Sequence, residues 1–229
     1  MSVKSKQLVF IVIWMLFIIT PFVTVLSNTS LEQALGNPII LTNIFQRITG
    51  LLAFTLLFMQ IMIGAHMNRW VQIIGAKAYK IHITQGLVSY GFMLIHPLFE
   101  SAIVYQVSRS LTEAILTLKP SIATQRDLLL TFGRTSFVLV TIAVIASYFR
   151  TKPFFRRNWR AFHILNYLAF FLVFFHARVG TDTFTPPFLY VYWLATTLVS
   201  GTLIYKVFSP IIARLVFKFK VTDKAQEKA

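Results

Sequence analysis

A helix that crosses the hydrocarbon core of a bilayer needs about 20 predominantly apolar residues, and this sequence contains six such runs. No charged side chain occurs from Gln7 to Leu31, and Leu8–Leu26 is the first run. The second covers Ile44–Ala65, with Arg47 in its first turn, and the third covers Tyr79–Val104, uncharged from Ile81 to Phe99. The fourth is Leu128–Phe149, with Arg134 inside it; the fifth is Ala161–Ala177, between Arg160 and Arg178; the sixth is Pro187–Tyr205. The expected fold class is all-α, a polytopic membrane bundle of six transmembrane helices over residues 1–208 with a short basic tail over 209–229. Hydrophobic residues make up 56% and charged residues 13%, about half the charged share of a soluble domain. That excludes a disordered chain, a coiled coil and an ordinary water-soluble enzyme.

The net charge is +15, from 22 Lys and Arg against 7 Asp and Glu. In a soluble chain such a balance would point to nucleic acid. Here 16 of the 22 cations lie at the N-terminus, in the loops after the second and fourth spans, and in the tail. Basic residues concentrate on the cytoplasmic side of membrane proteins, so both termini are expected in the cytoplasm, with the third and fifth spans running outward. The charge is then a topology signal toward an anionic membrane surface, and no nucleic-acid partner is expected. The first run, behind Lys4 and Lys6 and ending at Val25-Leu26-Ser27, shares features with a cleavable leader. It is long for one, and is expected to stay as a span. Asn28-Thr29-Ser30 matches a glycosylation sequon on the outer side. Cysteine is absent, which excludes disulfides, cysteine-ligated iron–sulfur clusters and a CxxCH haem attachment.

Four of the five histidines lie inside spans, where ionisable side chains are costly and functional by default. His82 and His96 are 14 residues apart on the third span; His163 and His176 are 13 apart on the fifth. Each pair is separated by roughly 20 Å along its helix, so two histidines of one helix cannot share a metal ion. Across the two parallel helices, His82 is level with His163 and His96 with His176. Haem iron takes axial imidazole ligands, and two stacked haems would carry electrons through most of the hydrocarbon. Rotation poses a difficulty. At about 100° per residue, 14 residues return to within roughly 40° of one face, whereas 13 miss by roughly 140°. Pro97 directly follows His96 and removes a backbone donor, where a kink is expected. The competing role for these histidines is hydrogen-bonded packing. His66, beside Arg69 and Trp70, is expected at the interface.

These residues carry a family resemblance. Arg47-Ile-Thr-Gly50, His82 with His96, and Trp159-Arg-Ala-Phe-His163 through His176 resemble the ferric reductase-like transmembrane domain, the haem-bearing membrane part of ferric reductases and NADPH oxidases. The resemblance covers about residues 8–208. It implies six helices and two b-type haems, with the haem irons held by His82–His163 and His96–His176. It also implies electron transfer from a cytoplasmic flavin, through the inner and then the outer haem, to an acceptor outside. Arg47 matches a family arginine close to the outer haem. Near the outer interface its guanidinium would pair with a haem propionate or snorkel to the headgroups. Gly50, Gly86 and Gly91 would admit a porphyrin or simply pack helices. Phe92, Phe170 and Phe171 lie between the two levels, as gap lining or as core.

Self-sufficient members of that family carry a cytoplasmic FAD- and NADPH-binding unit. No phosphate-cradling glycine-rich motif occurs here, so the flavin is expected through a partner: a separate cytoplasmic flavoprotein reductase, or quinol as donor. The basic stretch Arg150–Arg160 would suit an acidic flavoprotein, and Ile211–Val221 looks like the junction that precedes the flavin domain in relatives. The expected activity is that of an oxidoreductase component, with no catalytic residue beyond the haem ligands. A shorter relative, the haem subunit of the periplasmic methionine sulfoxide reductase system, also lacks its own dehydrogenase unit but lacks one of the four histidines. Delivery of electrons to such an external protein partner, or an oxygen-reducing oxidase core, are the alternatives within the class. A haem-free membrane anchor or a transporter is the alternative outside it; few acidic residues lie in the spans, and no internal repeat is apparent in the sequence.

Overall fold

The structure, a computed structural model, describes the backbone of residues 3–226 and the side chains of residues 3–209. Its helices run in the order α1 (Val3–Ser27), α2 (Leu31–Gly36), α3 (Pro38–Ala65), α4 (Met67–Ile74), α5 (Lys77–Ser108), α6 (Leu111–Leu116), α7 (Gln125–Tyr148), α8 (Pro153–His176) and α9 (Phe188–Gln226). Among the described residues, six helices are long and apolar enough to cross a membrane: α1, α3, α5, α7, α8 and α9. The chain is an all-α multi-pass bundle.

Local signals set the helix ends. Asn37 caps α3 by accepting from the backbone N–H of Ile39 at 2.9 Å, and Pro38 occupies the first helical position, where its missing N–H costs nothing. Thr124 and Asp127 form a reciprocal capping box on α7. Gly75, with φ of 68°, ends α4 in a conformation that favours glycine. Arg109 takes a left-handed φ of 57° to close α5.

The helices outrun the apolar runs: α1 and α3 begin at Val3 and Pro38, not Leu8 and Ile44, and α5 ends at Ser108, not Val104. The fifth span begins at Pro153, not Ala161, because Pro153 can start a helix and nothing in Phe154–Arg160 breaks one. The basic residues Arg156, Arg157 and Arg160 therefore sit on helix, not loop. The sixth helix continues past residue 208 to Gln226. The side chains of Ile211–Val221, which were expected to resemble a family junction, lie outside the described ones. Pro97 does not interrupt α5, which stays helical through Ser108.

The core sits on α3. Leu52, Phe54, Leu56, Leu57 and Phe58 are all buried there, since α3 is wrapped by α1, α5, α8 and α9. Phe54 is the hinge of an aromatic cluster: its ring centre lies 5.4 Å from Phe170 of α8, and 5.9 and 5.6 Å from Phe188 and Tyr192 of α9. Phe174 stacks on Tyr192 at 4.8 Å. Such pairs add about 0.5–1.5 kcal/mol each beyond their burial, and they lock α8 and α9 to α3.

The remaining architecture is two tight antiparallel hairpins, α3–α5 and α7–α8. Each leads with a helix of small and apolar residues and follows with a histidine-bearing helix. α5 and α8 do not pack closely on each other. Their histidines face one another across the space between the hairpins.

Candidate paired-histidine site

His82 of α5 and His163 of α8 have ring centres 6.1 Å apart, with planes at 68°. His96 and His176 have ring centres 6.0 Å apart, with planes at 77°. The structure thus brings together both pairs expected from the levels of the residues. The His82–His163 pair lies nearer the face that carries most Lys and Arg; the other lies nearer the opposite face. Fourteen residues of α5 put about 21 Å between them.

The separation is informative. A nitrogen-to-metal bond of about 2.0 Å on each side, plus about 1.1 Å from nitrogen to ring centre, spaces two axial imidazoles by about 6.2 Å. Both pairs are at that spacing. The angle between ring planes is free about the ligand–metal–ligand axis, so 68° and 77° are compatible with it. Among the described residues no group of three or more His, Asp or Glu converges. Two imidazoles suit a metal whose remaining ligands come with it, as in haem, better than a bare ion needing four protein ligands.

The hydrogen bonds fix the ring nitrogens. His96 Nδ1 lies 2.9 Å from the carbonyl of Gln46, and His176 Nδ1 lies 3.1 Å from the carbonyl of Leu129. A carbonyl only accepts, so both Nδ1 atoms carry the proton and both Nε2 atoms present a lone pair. His163 Nδ1 lies 3.3 Å from Ser147 Oγ, and the Ser147 hydroxyl spends its own hydrogen on Ala143 O at 2.7 Å. Asn166 Nδ2, 3.5 Å from the same nitrogen, donates instead to the His163 carbonyl at 3.0 Å, so Ser147 accepts from His163, which gives the same tautomer. A ring nitrogen held by a second group, with the other left free, is the usual arrangement of a metal-bound histidine. His82 differs. Gln60 Nε2 donates to the His82 carbonyl at 2.8 Å and also lies 3.4 Å from His82 Nε2, while Gln60 Oε1 and His82 Nδ1 are both buried without a partner.

Each ring also lies against a small residue of its own hairpin. A Cβ on Gly50 would sit 2.7 Å from His96 Cε1, one on Gly64 would sit 3.0 Å from His82 Cε1, and one on Gly133 would sit 2.7 Å from His176 Nδ1. Ser147 takes the corresponding place for His163. Along α3 and α5 a single register holds from Gln46–Glu100 and Gly50–His96 to Gln60–Gly86 and Gly64–His82. The α7–α8 hairpin repeats the scheme with Gly133–His176 and Ser147–His163. The internal repeat that is not apparent in the sequence is present in the contacts. Despite the rotational offset both α8 rings meet a partner on α5, and the His176 ring lies across Gly133, where no side chain blocks it.

Of the other expected residues, Arg47 does not snorkel. Its Nε and Nη2 donate to Asp182 at 2.5 and 2.6 Å, and its Nη1 donates to Thr29 Oγ1 at 2.6 Å. Asp182 also accepts from Asn28, the sequon asparagine, at 3.0 Å. Asp182 carried no signal in the sequence, because its partner is 135 positions away. Arg134 donates to the carbonyl of Thr117. Gly86 faces the Gln60 amide, not a ring, and Gly91 faces open space. Phe170 belongs to the core cluster and packs edge-on against Phe171, while Phe92 lines a groove between α1 and α5. Between the histidine levels it is Tyr90 that bridges the hairpins, stacking on Phe137 at 5.9 Å and hydrogen-bonding Thr141 at 3.1 Å. His66 caps α3 away from both pairs, 3.5 Å from Thr202 Oγ1. Burial, with Arg69 and Lys206 nearby, holds its pKa below the ordinary histidine value.

No family model, curated protein or solved structure matches this chain.

Proposed function

We propose that the chain is a di-haem b-type membrane cytochrome, similar to the haem domain of ferric reductases, that carries electrons from a donor on the basic face to an acceptor on the other. The observation that carries this reading is the two pairs of imidazoles, with ring centres 6.1 and 6.0 Å apart, at two levels of the bundle. Packing alone gives no reason for two such pairs to share one separation.

In this reading His82 and His163 hold one haem iron, and His96 and His176 hold the other. Haem supplies the one-electron chemistry. The chain does the rest. The carbonyls of Gln46 and Leu129 hold the Nδ1 protons of His96 and His176, so that Nε2 is free and made more basic. Ser147 does the same for His163. Gly50, Gly64 and Gly133 leave the rings room to turn toward the gap. The apolar face of α3 excludes water behind the pairs. Arg47 uses three N–H groups on Asp182 and Thr29, and its guanidinium has five, so two remain for a propionate. Electrons enter from a separate flavoprotein or from quinol on the basic face, which is the cytoplasmic side in this reading; the chain is then a multi-pass protein of the cell membrane with both termini inside.

The test is vectorial transfer. The purified protein, reconstituted with haem into sealed vesicles loaded with ferricyanide, is given a membrane-impermeant reductant outside. Reduction of the trapped ferricyanide at a rate lost in His96→Ala is expected. Equal rates for wild type, His96→Ala and empty vesicles would remove the proposal.

A further inference from the structure

A second feature lies beside α5, between it and α1. α1 and α5 both pack on α3 but diverge from each other, leaving a groove of about 530 Å³. Leu52 and Leu56 form its floor, Trp14 and Ile18 one wall, Val88 and Phe92 the other. Lys77 and Lys80 stand at its end on the basic face.

The buried polar groups within the groove are paired. Trp14 Nε1 donates to Gln85 Oε1 at 2.8 Å, and Gln85 Nε2 donates to the Leu56 carbonyl at 3.2 Å. None of the lining residues carries a buried polar atom without a partner. Apart from the exposed Thr84, the trough between its ends is lined by apolar surface and suits hydrocarbon. Its length agrees. From Lys77 to Phe92 is about 22 Å of helix, enough to run from the headgroup level past the middle of a hydrocarbon core about 30 Å thick.

The mouth is polar and cationic. Lys77 and Lys80 are one turn apart on the same side of α5, and both are exposed. No ion pair engages either among the described residues. The acidic residues with described side chains, Glu32, Glu100, Glu113, Asp127 and Asp182, belong to the far ends of the helices and the loops there. Charge complementarity at the mouth thus calls for an anion.

We propose that this groove is a binding site for one anionic phospholipid of the leaflet on the basic face, its acyl chain along Leu52 and Leu56 and its phosphate between Lys77 and Lys80. The site binds lipid whether or not the histidine pairs hold haem.

Native mass spectrometry of the delipidated full chain, titrated with dioleoylphosphatidylglycerol or dioleoylphosphatidylcholine, tests it. One tight phosphatidylglycerol per chain is expected. A basic residue near a membrane surface is worth about fivefold in binding, so the double change Lys77→Gln with Lys80→Gln should weaken that lipid roughly twenty-fivefold and phosphatidylcholine little. Leu56→Trp, which fills the floor, should remove the tight lipid while leaving both lysines. Arg156→Gln with Arg157→Gln, also on the basic face, should change nothing. Equal affinity for the two lipids, or equal loss in the Arg156 and Arg157 variant, would reduce the effect to general surface charge and overturn the site. Full displacement of the lipid by glycerol phosphate would mean that the lysines alone bind a headgroup, and would overturn it as well. Displacement by a short-chain quinone but by no lipid would assign the groove to a different ligand.

Discussion

Replacing Gly50 by alanine is the sharpest perturbation of the far histidine pair that leaves all four histidines in place. On a helix this change normally stabilises, by about 1 kcal/mol. Here the new Cβ would stand 2.7 Å from His96 Cε1 and 3.0 Å from its Nδ1, where ordinary contact begins at 3.4 Å. The ring must retreat by about 0.7 Å, well beyond the roughly ±0.2 Å within which metal–ligand distances hold. Retreat also strains the 2.9 Å hydrogen bond from Nδ1 to the Gln46 carbonyl, and loss of such supporting bonds typically costs 10–100-fold in metal affinity. Gly50→Ala should therefore lose about half of the haem while thermal stability of the helices is kept. Gly91→Ala is the matched control: no atom lies within 4 Å of its Cβ position, and it should keep full haem. The assay is haem per polypeptide by pyridine haemochrome, with a redox titration to show which component is lost. Full, unshifted haem in Gly50→Ala would refute the claim that His96 is a ligand held against Gly50.

Further outcomes follow from the same geometry. His96→Ala or His176→Ala should each remove one haem and leave the other partly bound, whereas His66→Ala should leave haem content unchanged in the same assay. Ser147→Ala should lower the affinity of the near pair by about tenfold, because His163 Nδ1 loses its acceptor; a haem-loss titration against apomyoglobin reads it. Asp182→Asn should lower the melting temperature. Breaking a fully buried ion pair costs about 3–5 kcal/mol, and with the Arg47 side chain 23% exposed a cost of about 2 kcal/mol is the reasonable scale. Combining it with Arg47→Ala should cost less than the two separate losses added together, as a double-mutant cycle on thermal unfolding would show.

Much of this site was legible because periodicity in a membrane is a strong constraint. Apolar runs fixed the helices, and ionisable residues within them stood out as His82, His96, His163 and His176. What could not be read were contacts made across helices. Gly64, Gly133 and Ser147 are unremarkable letters until the antiparallel register of each hairpin sets them against imidazoles. The 13-residue spacing of His163 and His176 predicts different faces on an ideal helix, yet both rings meet a partner on α5, with His176 packed over the bare backbone of Gly133. Neither the depth of Arg47 nor its family resemblance says anything of Asp182, which arrives from the short 3₁₀ turn Thr181–Phe184 after α8. The start of the fifth span was placed late because charge was weighted over helix propensity, although Arg156, Arg157 and Arg160 are good helix formers at a membrane surface.

The central claim is that two histidine pairs each hold a haem. Haem per polypeptide, measured on the detergent-purified full chain after expression with ample haem, tests it most directly. The account predicts two b-type haems per chain, with a reduced-minus-oxidised spectrum of six-coordinate, low-spin iron at both sites. Absence of haem from the folded protein would contradict it and leave the four histidines as packing residues.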